Sequence, residues 1–260
     1  MAKKANNQGL PWKRVWVTGA GRGIGAVLTR LFCEEGITVY ASSRTEQDLD
    51  ALQQQLSQYP GKMIPVPLDI CHKENINSLI KNWQKERNFP ELVVLNAGTH
   101  DPFPAQEFSA ERCEKLFEIN LLGTIKCLEP VLKHYMAHNS GHIAVMASVA
   151  GYRGLPTAAA YGASKAALIH LCEALKLDLT GSRVKLQVIN PGFVRTPLTD
   201  KNTFAMPDLM EPEDAAMAIV KGLQSDHFEI AFPRRFVTTL KLLRLLPYNL
   251  YFKIIKRITG

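Results

Sequence analysis

The chain has 260 residues, 46% of them apolar, with a formal net charge of +7. That size suits one domain with a large core, the apolar share is ordinary for a globular protein, and no low-complexity tract interrupts it. Seven basic residues (Arg234, Arg235, Lys241, Arg244, Lys253, Lys256 and Arg257) lie beyond Ile230 with no Asp or Glu among them, so residues 1–229 are net neutral. Basicity confined to one end argues against a nucleic-acid partner.

In chain order, the apolar run Val15–Thr18 reads as a first strand, followed by the glycine-rich stretch Gly19–Gly25 and a helix over Ala26–Glu35. A second strand is expected at Thr38–Ser42, then a helix begun by Thr45. Met63–Asp69 reads as strand three, Ile76–Glu86 lies in the next helix, and LVVLNAG gives strand four and its loop. Glu111–His134 reads as helical, with a kink or a change of direction expected at Pro130. Ile143–Ser148, Val184–Asn190 and Glu229–Phe232 complete seven strands. Their central members are nearly all apolar, as strands buried on both faces should be. Such alternation implies a doubly wound parallel sheet with ligands at the carboxyl ends of its strands, where Asn96, Ser148 and Asn190 fall.

No stretch reaches the roughly 18–20 uncharged apolar residues of a membrane span, and the opening MAKKANNQGLPWKR has no apolar leader. The five cysteines (Cys33, Cys71, Cys113, Cys127 and Cys172) are odd in number and lack a C-x-x-C spacing. They read as reduced, mostly buried thiols in a cytosolic setting.

Three residues carry the chemistry. Tyr161 and Lys165 are four apart in AYGASKAAL, so a helix sets the ammonium beside the phenol. A free phenol, with a pKa of about 10, is a poor acid or base at neutral pH; a neighbouring cation is expected to pull it toward the working range. Ser148 ends the run HIAVMAS and can hold a carbonyl oxygen while Tyr161 exchanges a proton with it. The trio suits carbonyl reduction or alcohol oxidation. Upstream, a glycine loop between strand and helix lets backbone N–H groups approach a phosphate. His134 and His138 have zinc-compatible helical spacing, but no third ligand is evident. They read as surface residues, and no metal is assigned. No G-x-S-x-G surrounds Ser148, which excludes a hydrolase elbow.

TGAGRGIG (Thr18–Gly25), LNAG (Leu95–Gly98), Asn120, Ser148, YGASK (Tyr161–Lys165) and NPGFVRTP (Asn190–Pro197) occur in the order and spacing of one family. Over residues 12–232 the chain resembles the short-chain dehydrogenases/reductases. The resemblance implies a three-layer doubly wound Rossmann fold with a seven-stranded parallel sheet, formed as a single dinucleotide-binding and catalytic domain over residues 1–260. It implies an NAD(P)-dependent oxidoreductase whose catalytic residues are Asn120, Ser148, Tyr161 and Lys165, Asn120 holding a water that links the lysine to solvent. It further implies that the cofactor lies against Thr18, Gly19, Gly21, Arg22, Gly23, Ile24 and Gly25, with Asp69 on the adenine. Asn96, Ala97 and Gly98 would shape the site beside Tyr161 and Lys165. Pro191, Gly192 and Val194 would line the nicotinamide loop, with Thr196 on the carboxamide. A homodimer or homotetramer is the implied assembly, and the family needs no metal.

The end of strand two indicates which cofactor. Ser42, Ser43 and Arg44 stand where an NAD enzyme usually places Asp or Glu. Arg44, with Arg22 from the glycine loop, can pair with a 2′-phosphate, so NADP(H) is expected over NAD(H). The reading is an NADPH-dependent carbonyl reductase for a hydrophobic or lipid-like ketone or aldehyde. Its rivals are a 3-oxoacyl-carrier-protein reductase-like enzyme and a catalytically idle NADP-binding scaffold. The short lid between Thr196 and Glu211 and the absence of a V-D-G-G-like ending weaken the first.

Residues 234–260 form a basic amphipathic extension split into two helical pieces by Pro247. Phe236, Leu240 and Leu243 share one face, and Leu250, Ile254 and Ile258 share another. The extension is expected to cap the cleft, to pack at a subunit interface, or to touch an anionic membrane from the cytoplasmic side.

Overall fold

The computed structural model describes residues 9–202 and 204–259. The opening stretch as far as Gln8 lies outside the described residues. Seven strands form one sheet: β1 Arg14–Thr18, β2 Thr38–Ser43, β3 Lys62–Pro67, β4 Leu92–Leu95, β5 Gly141–Met146, β6 Val184–Pro191 and β7 Glu229–Phe232. Between and after them run α1 Gly23–Glu34, α2 Glu46–Leu56, α3 Lys73–Glu86, α4 Ala110–Phe117, α5 Thr124–His138, α6 Ala159–Asp178, α7 Pro212–Leu223, α8 Arg234–Arg244 and α9 Tyr248–Thr259. The strand order is β3-β2-β1-β4-β5-β6-β7, and every neighbouring pair is parallel.

Apolar side chains on both faces of a strand require cover on both sides. Trp16, Val93, Ile143 and Leu186 pack under α3, α5, α6 and α8. Val17, Val39, Val94 and Ala144 pack under α1, α2 and α7. The result is the expected three-layer doubly wound fold. On the first face the Trp16 and Trp83 rings meet edge to face at 5.2 Å, an arrangement that adds about 0.5–1.5 kcal/mol beyond the burial itself. Strand order reverses between β1 and β4, so the helices after them leave to opposite faces and open a crevice at the carboxyl ends.

The stretch Glu111–His134 is helical throughout, as expected, but not α-helical throughout: α4 passes after Phe117 into a π-helical turn over Glu118–Gly123, and α5 continues from Thr124 through Pro130. In the π-helical turn Gly123 lets the backbone approach Ile70; a Cβ there would come within 2.8 Å of that side chain. Such wide turns recur at functional positions, and this one contains the fully buried Asn120.

The extension does form two helices, and α8 buries Val237 and Leu240 with Phe236 and Leu243 packed alongside. In α9, however, Tyr251 and Ile255 are buried, whereas Leu250 and Ile258 are exposed. Polar anchoring sets that rotation. The Tyr251 hydroxyl donates to Gly154 O at 2.6 Å, and the Arg153 guanidinium lies 4.0 Å from the Tyr251 ring centroid.

Candidate active site

The glycine loop is shaped for close approach. Gly19 has φ +67°, and a Cβ on it would lie 2.7 Å from Ala97 Cα. A Cβ on Gly25 would lie 2.2 Å from Gly19 O. Only glycine satisfies either position. Helix α1 starts inside this loop, earlier than the expected Ala26, so its first N–H groups face the crevice where they attract a phosphate. The carboxamide of Asn96 joins β4 to the loop by donating to Thr18 O at 3.0 Å and Gly19 O at 3.1 Å. Thr18 Oγ1 in turn accepts from the Asn96 and Ala97 amides.

A cavity of about 290 Å³ fills the crevice. It is lined by Gly19, Gly21, Arg22, Gly23, Ile24 and Gly25, together with Ser43 and Arg44. Asp69, Asn96, Ala97 and Gly98 also line it, as do Ser148, Tyr161 and Lys165 with Pro191, Gly192 and Val194, while Thr196 lies against the glycine loop, 3.2 Å from where a Cβ on Gly23 would stand. Of the residues expected at the cofactor or reaction centre, Thr18 and Asn120 do not line it; both are buried behind the wall. Asn190 is likewise buried, and its amide donates to Glu229 Oε1 at 2.7 Å. Burial acts upward on the Glu229 carboxyl, but bonds from Lys241, Tyr152 and Asn190 outweigh it and hold it below the usual range. Asn190 is thus part of a brace between β6 and β7.

Within the cavity wall, Lys165 Nζ donates to Met146 O at 2.8 Å and lies 5.7 Å from the centre of the Tyr161 ring. Burial lowers the lysine pKa to about 8. Burial also raises the Tyr161 phenol above its ordinary value, with only a bond to Ser148 opposing. The expected lowering by the ammonium is therefore corrected: desolvation, which sequence spacing cannot reveal, governs this phenol. Asn120 Oδ1 accepts from Thr99 N at 2.7 Å, and Nδ2 donates to Thr99 O at 2.9 Å. A Cβ on Gly98 would come within 3.2 Å of Asn120 Oδ1 and 3.6 Å of Lys165 Nζ, so this glycine keeps open the space between carboxamide and ammonium.

Sequence reasoning missed two neighbours. The His100 ring meets Tyr161 edge-on at 4.6 Å, its Nε2 bonds Asn202 Oδ1 at 3.0 Å, and Lys201 Nζ donates to its carbonyl. It pins the lid to the segment after β4, two positions beyond LNAG, and that proximity to the motif was its one signal. Burial keeps it below the ordinary histidine value, with the Asn202 bond opposing. Asp48, on α2, lines the cavity beside Ser43 and Arg44; its place on a helix start gave no sign of this. His134 stacks on Phe89 at 3.6 Å, and His138 Nδ1 bonds His134 O at 2.8 Å. The five cysteines are free, with Cys33, Cys127 and Cys172 buried.

A parallel sheet with a glycine-lined crevice at its reversal point, leading to a tyrosine, a lysine and a serine, defines a dinucleotide-dependent oxidoreductase. Residues 13–206 match the short chain dehydrogenase family. An uncharacterized oxidoreductase from Myxococcus xanthus is 33% identical over 242 residues, covering 93% of this chain and 96% of that protein. One from Staphylococcus epidermidis is 31% identical over 215 residues, covering 82% and 92%. Among solved structures, serine dehydrogenase from Escherichia coli shares 27% identity at a TM-score of 0.72, covering 84% of this chain and 96% of that one. A Sphingobium yanoikuyae short-chain dehydrogenase in complex with NADPH has the same fold at 22% identity, with a TM-score of 0.79 and coverage of 88% and 91%. The chain belongs to the short-chain dehydrogenase/reductase family, NAD(P)-binding oxidoreductases that act on CH–OH and C=O groups.

Proposed function

We propose that this protein is an NADPH-dependent carbonyl reductase acting on a hydrophobic or lipid-like ketone or aldehyde. The observation that carries the reading is that Ser148, Tyr161 and Lys165 line the same cavity as the glycine loop with Arg22 and Arg44. The glycine cradle, which Cβ atoms would fill, fits a dinucleotide phosphate. When bound there, the cofactor supplies a hydride equivalent to the carbonyl carbon.

The chain's own residues do the rest. Ser148 holds the carbonyl oxygen by hydrogen bonding. Tyr161, kept protonated by burial, gives its hydroxyl proton to that oxygen. Lys165 stabilises the phenolate that forms and reaches toward the cofactor ribose, while Asn120 supports a water that returns the proton. The raised phenol pKa keeps Tyr161 protonated at neutral pH, so it arrives as the acid that reduction needs and depends on Lys165 to stabilise the charge it is left with.

Arg44 and Arg22 support NADPH through charge-assisted bonds to the 2′-phosphate, and Ser43 adds a hydroxyl donor. The same reading takes residues 1–260 as one catalytic domain, assembled as a homodimer or homotetramer and working in the cytoplasm. An idle scaffold has no use for the tyrosine–lysine pair. A screen of ketones and aldehydes following NADPH absorbance tests the proposal. Turnover is expected on apolar carbonyls and should disappear in Tyr161→Phe while NADPH affinity stays near the parent's. Turnover of that variant within about tenfold of the parent would overturn the role given to Tyr161.

A further inference from the structure

The α8–α9 corner carries a surface that carbonyl reduction does not use. Six of the twelve large hydrophobic side chains exposed among the described residues lie there: Leu242, Leu245, Tyr248, Leu250, Phe252 and Ile258. Leu245 is 80% exposed and Ile258 68%. Half the exposed large apolar side chains thus lie on little more than a tenth of the chain, a concentration that marks an interaction surface. The chain's whole excess of positive charge lies on the same segment. Among the described residues only Lys241 of these seven cations forms an ion pair, with Glu229, so the others face solvent without a protein counter-charge.

The corner is anchored by Arg153. Arg153 Nη1 donates to the carbonyls of Leu243, Arg244 and Leu246 at 2.8, 2.9 and 2.8 Å, closing the end of α8. Its guanidinium also lies over the Tyr248 and Tyr251 rings. The fold therefore spends a buried-side anchor on keeping the apolar residues turned outward.

Charge decides the occupant. A second copy meeting this face about a two-fold axis would bring each cluster of cations toward its mate. A nucleic acid would satisfy the cations but leave the leucines, Phe252 and Ile258 with nothing to enter. An anionic bilayer satisfies both, with apolar side chains entering the acyl boundary and Lys or Arg at phosphate level. We propose that the α8–α9 corner docks the protein on an anionic membrane surface without crossing it. Among the described residues no helix is long and apolar enough to span. Phe236 of α8 packs on Phe193 at 5.4 Å, and Arg153 follows the Ser148 turn, so docking sets the segments bordering the cleft close to the lipid.

The test is co-sedimentation of the full chain with vesicles of phosphatidylcholine alone and of phosphatidylcholine mixed with phosphatidylserine. Binding is expected on the mixed vesicles, with little on phosphatidylcholine, and should weaken as salt rises. Lys253→Gln, Lys256→Gln and Arg257→Gln together should reduce partitioning about a hundredfold, from roughly fivefold per cation. Leu245→Glu with Phe252→Glu, both exposed positions, should abolish it while turnover of a water-soluble carbonyl, or NADPH binding if none is turned over, stays at the parent level. Equal binding to both vesicle types, no binding, or unchanged binding by either variant would overturn the proposal. So would a parent dimer that the Leu245→Glu, Phe252→Glu variant splits with vesicle binding unchanged. None of the vesicle readouts depends on carbonyl reduction, so the two readings fail separately.

Discussion

Replacing Lys165 with Met separates the electrostatic role of the lysine from its bulk. At pH 7 an ammonium with a pKa of about 8 is charged roughly nine times in ten. Its distance of 5.7 Å from the Tyr161 ring centre sets, at an effective dielectric constant of about 20, a ceiling of roughly 3 kcal/mol on its attraction for the phenolate formed in the reaction. Loss of that attraction should lower kcat about a hundredfold at saturating NADPH and carbonyl. The parent's kcat should also fall as pH rises through about 8, where the ammonium deprotonates, and the variant should lack that inflection. Stability should move the other way. The lysine pKa falls from 10.5 to about 8 on folding, so the unfolded chain holds the proton more tightly. That costs the folded state about 3 kcal/mol below pH 8, a penalty that fades as pH rises toward 10.5. Lys165→Met removes the penalty, and urea unfolding at pH 7 should show a variant more stable than the parent, with about 3 kcal/mol as the ceiling. A kcat within about threefold of the parent, or a pH inflection that survives the substitution, would refute the reasoning.

Three further outcomes follow from the same structure. Arg44→Asp places a carboxylate where the 2′-phosphate is proposed to bind, so the NADPH-to-NADH ratio of kcat/KM should fall by roughly ten- to a hundredfold or more in steady-state assays. Burial lowers the His142 pKa to about 4, with Nε2 bonded to Gln187 Oε1 at 2.8 Å. Its neutral form stabilises the fold fully above about pH 6.5, and up to about 3 kcal/mol is lost as pH falls through 4; His142→Gln should flatten that part of a urea-unfolding series. His100→Ala cuts the lid's bond to Asn202 and should raise KM for the carbonyl more than it lowers kcat, as read in steady-state kinetics.

Much of this fold is legible in the chain because the strands are continuous apolar runs with a single solution, burial on both faces. Their starts and ends moved by only a residue or two at most positions; Met63–Asp69 shows the limit, for Pro67 ends β3 and Asp69 lies in the following loop. The glycine loop was equally plain, since its clashes with Gly19 O and Ala97 are backbone clashes that no other residue relieves. What escaped depended on contacts remote in sequence. Nothing in FEINLLG announces a π-helical turn, because Gly123 there packs against Ile70, which is remote in sequence. The buried face of α9 follows from Arg153 and Gly154, about a hundred residues earlier. The direction of the Tyr161 shift is not legible in the sequence, because helical spacing reports a neighbour's charge and says nothing of desolvation. His100 and Asp48 stayed hidden for the related reason that a loop and a helix start carry no periodicity that points inward.

The central claim is that this site passes a hydride to a carbonyl carbon while Tyr161 gives up a proton. NADPH deuterated at the transferable C4 position, incubated with the carbonyl found to turn over, tests it most directly by mass spectrometry of the alcohol. The account predicts one deuterium on the carbinol carbon with the parent protein and no labelled alcohol with Tyr161→Phe. Alcohol formed without the label, or labelled equally by the variant, would contradict it.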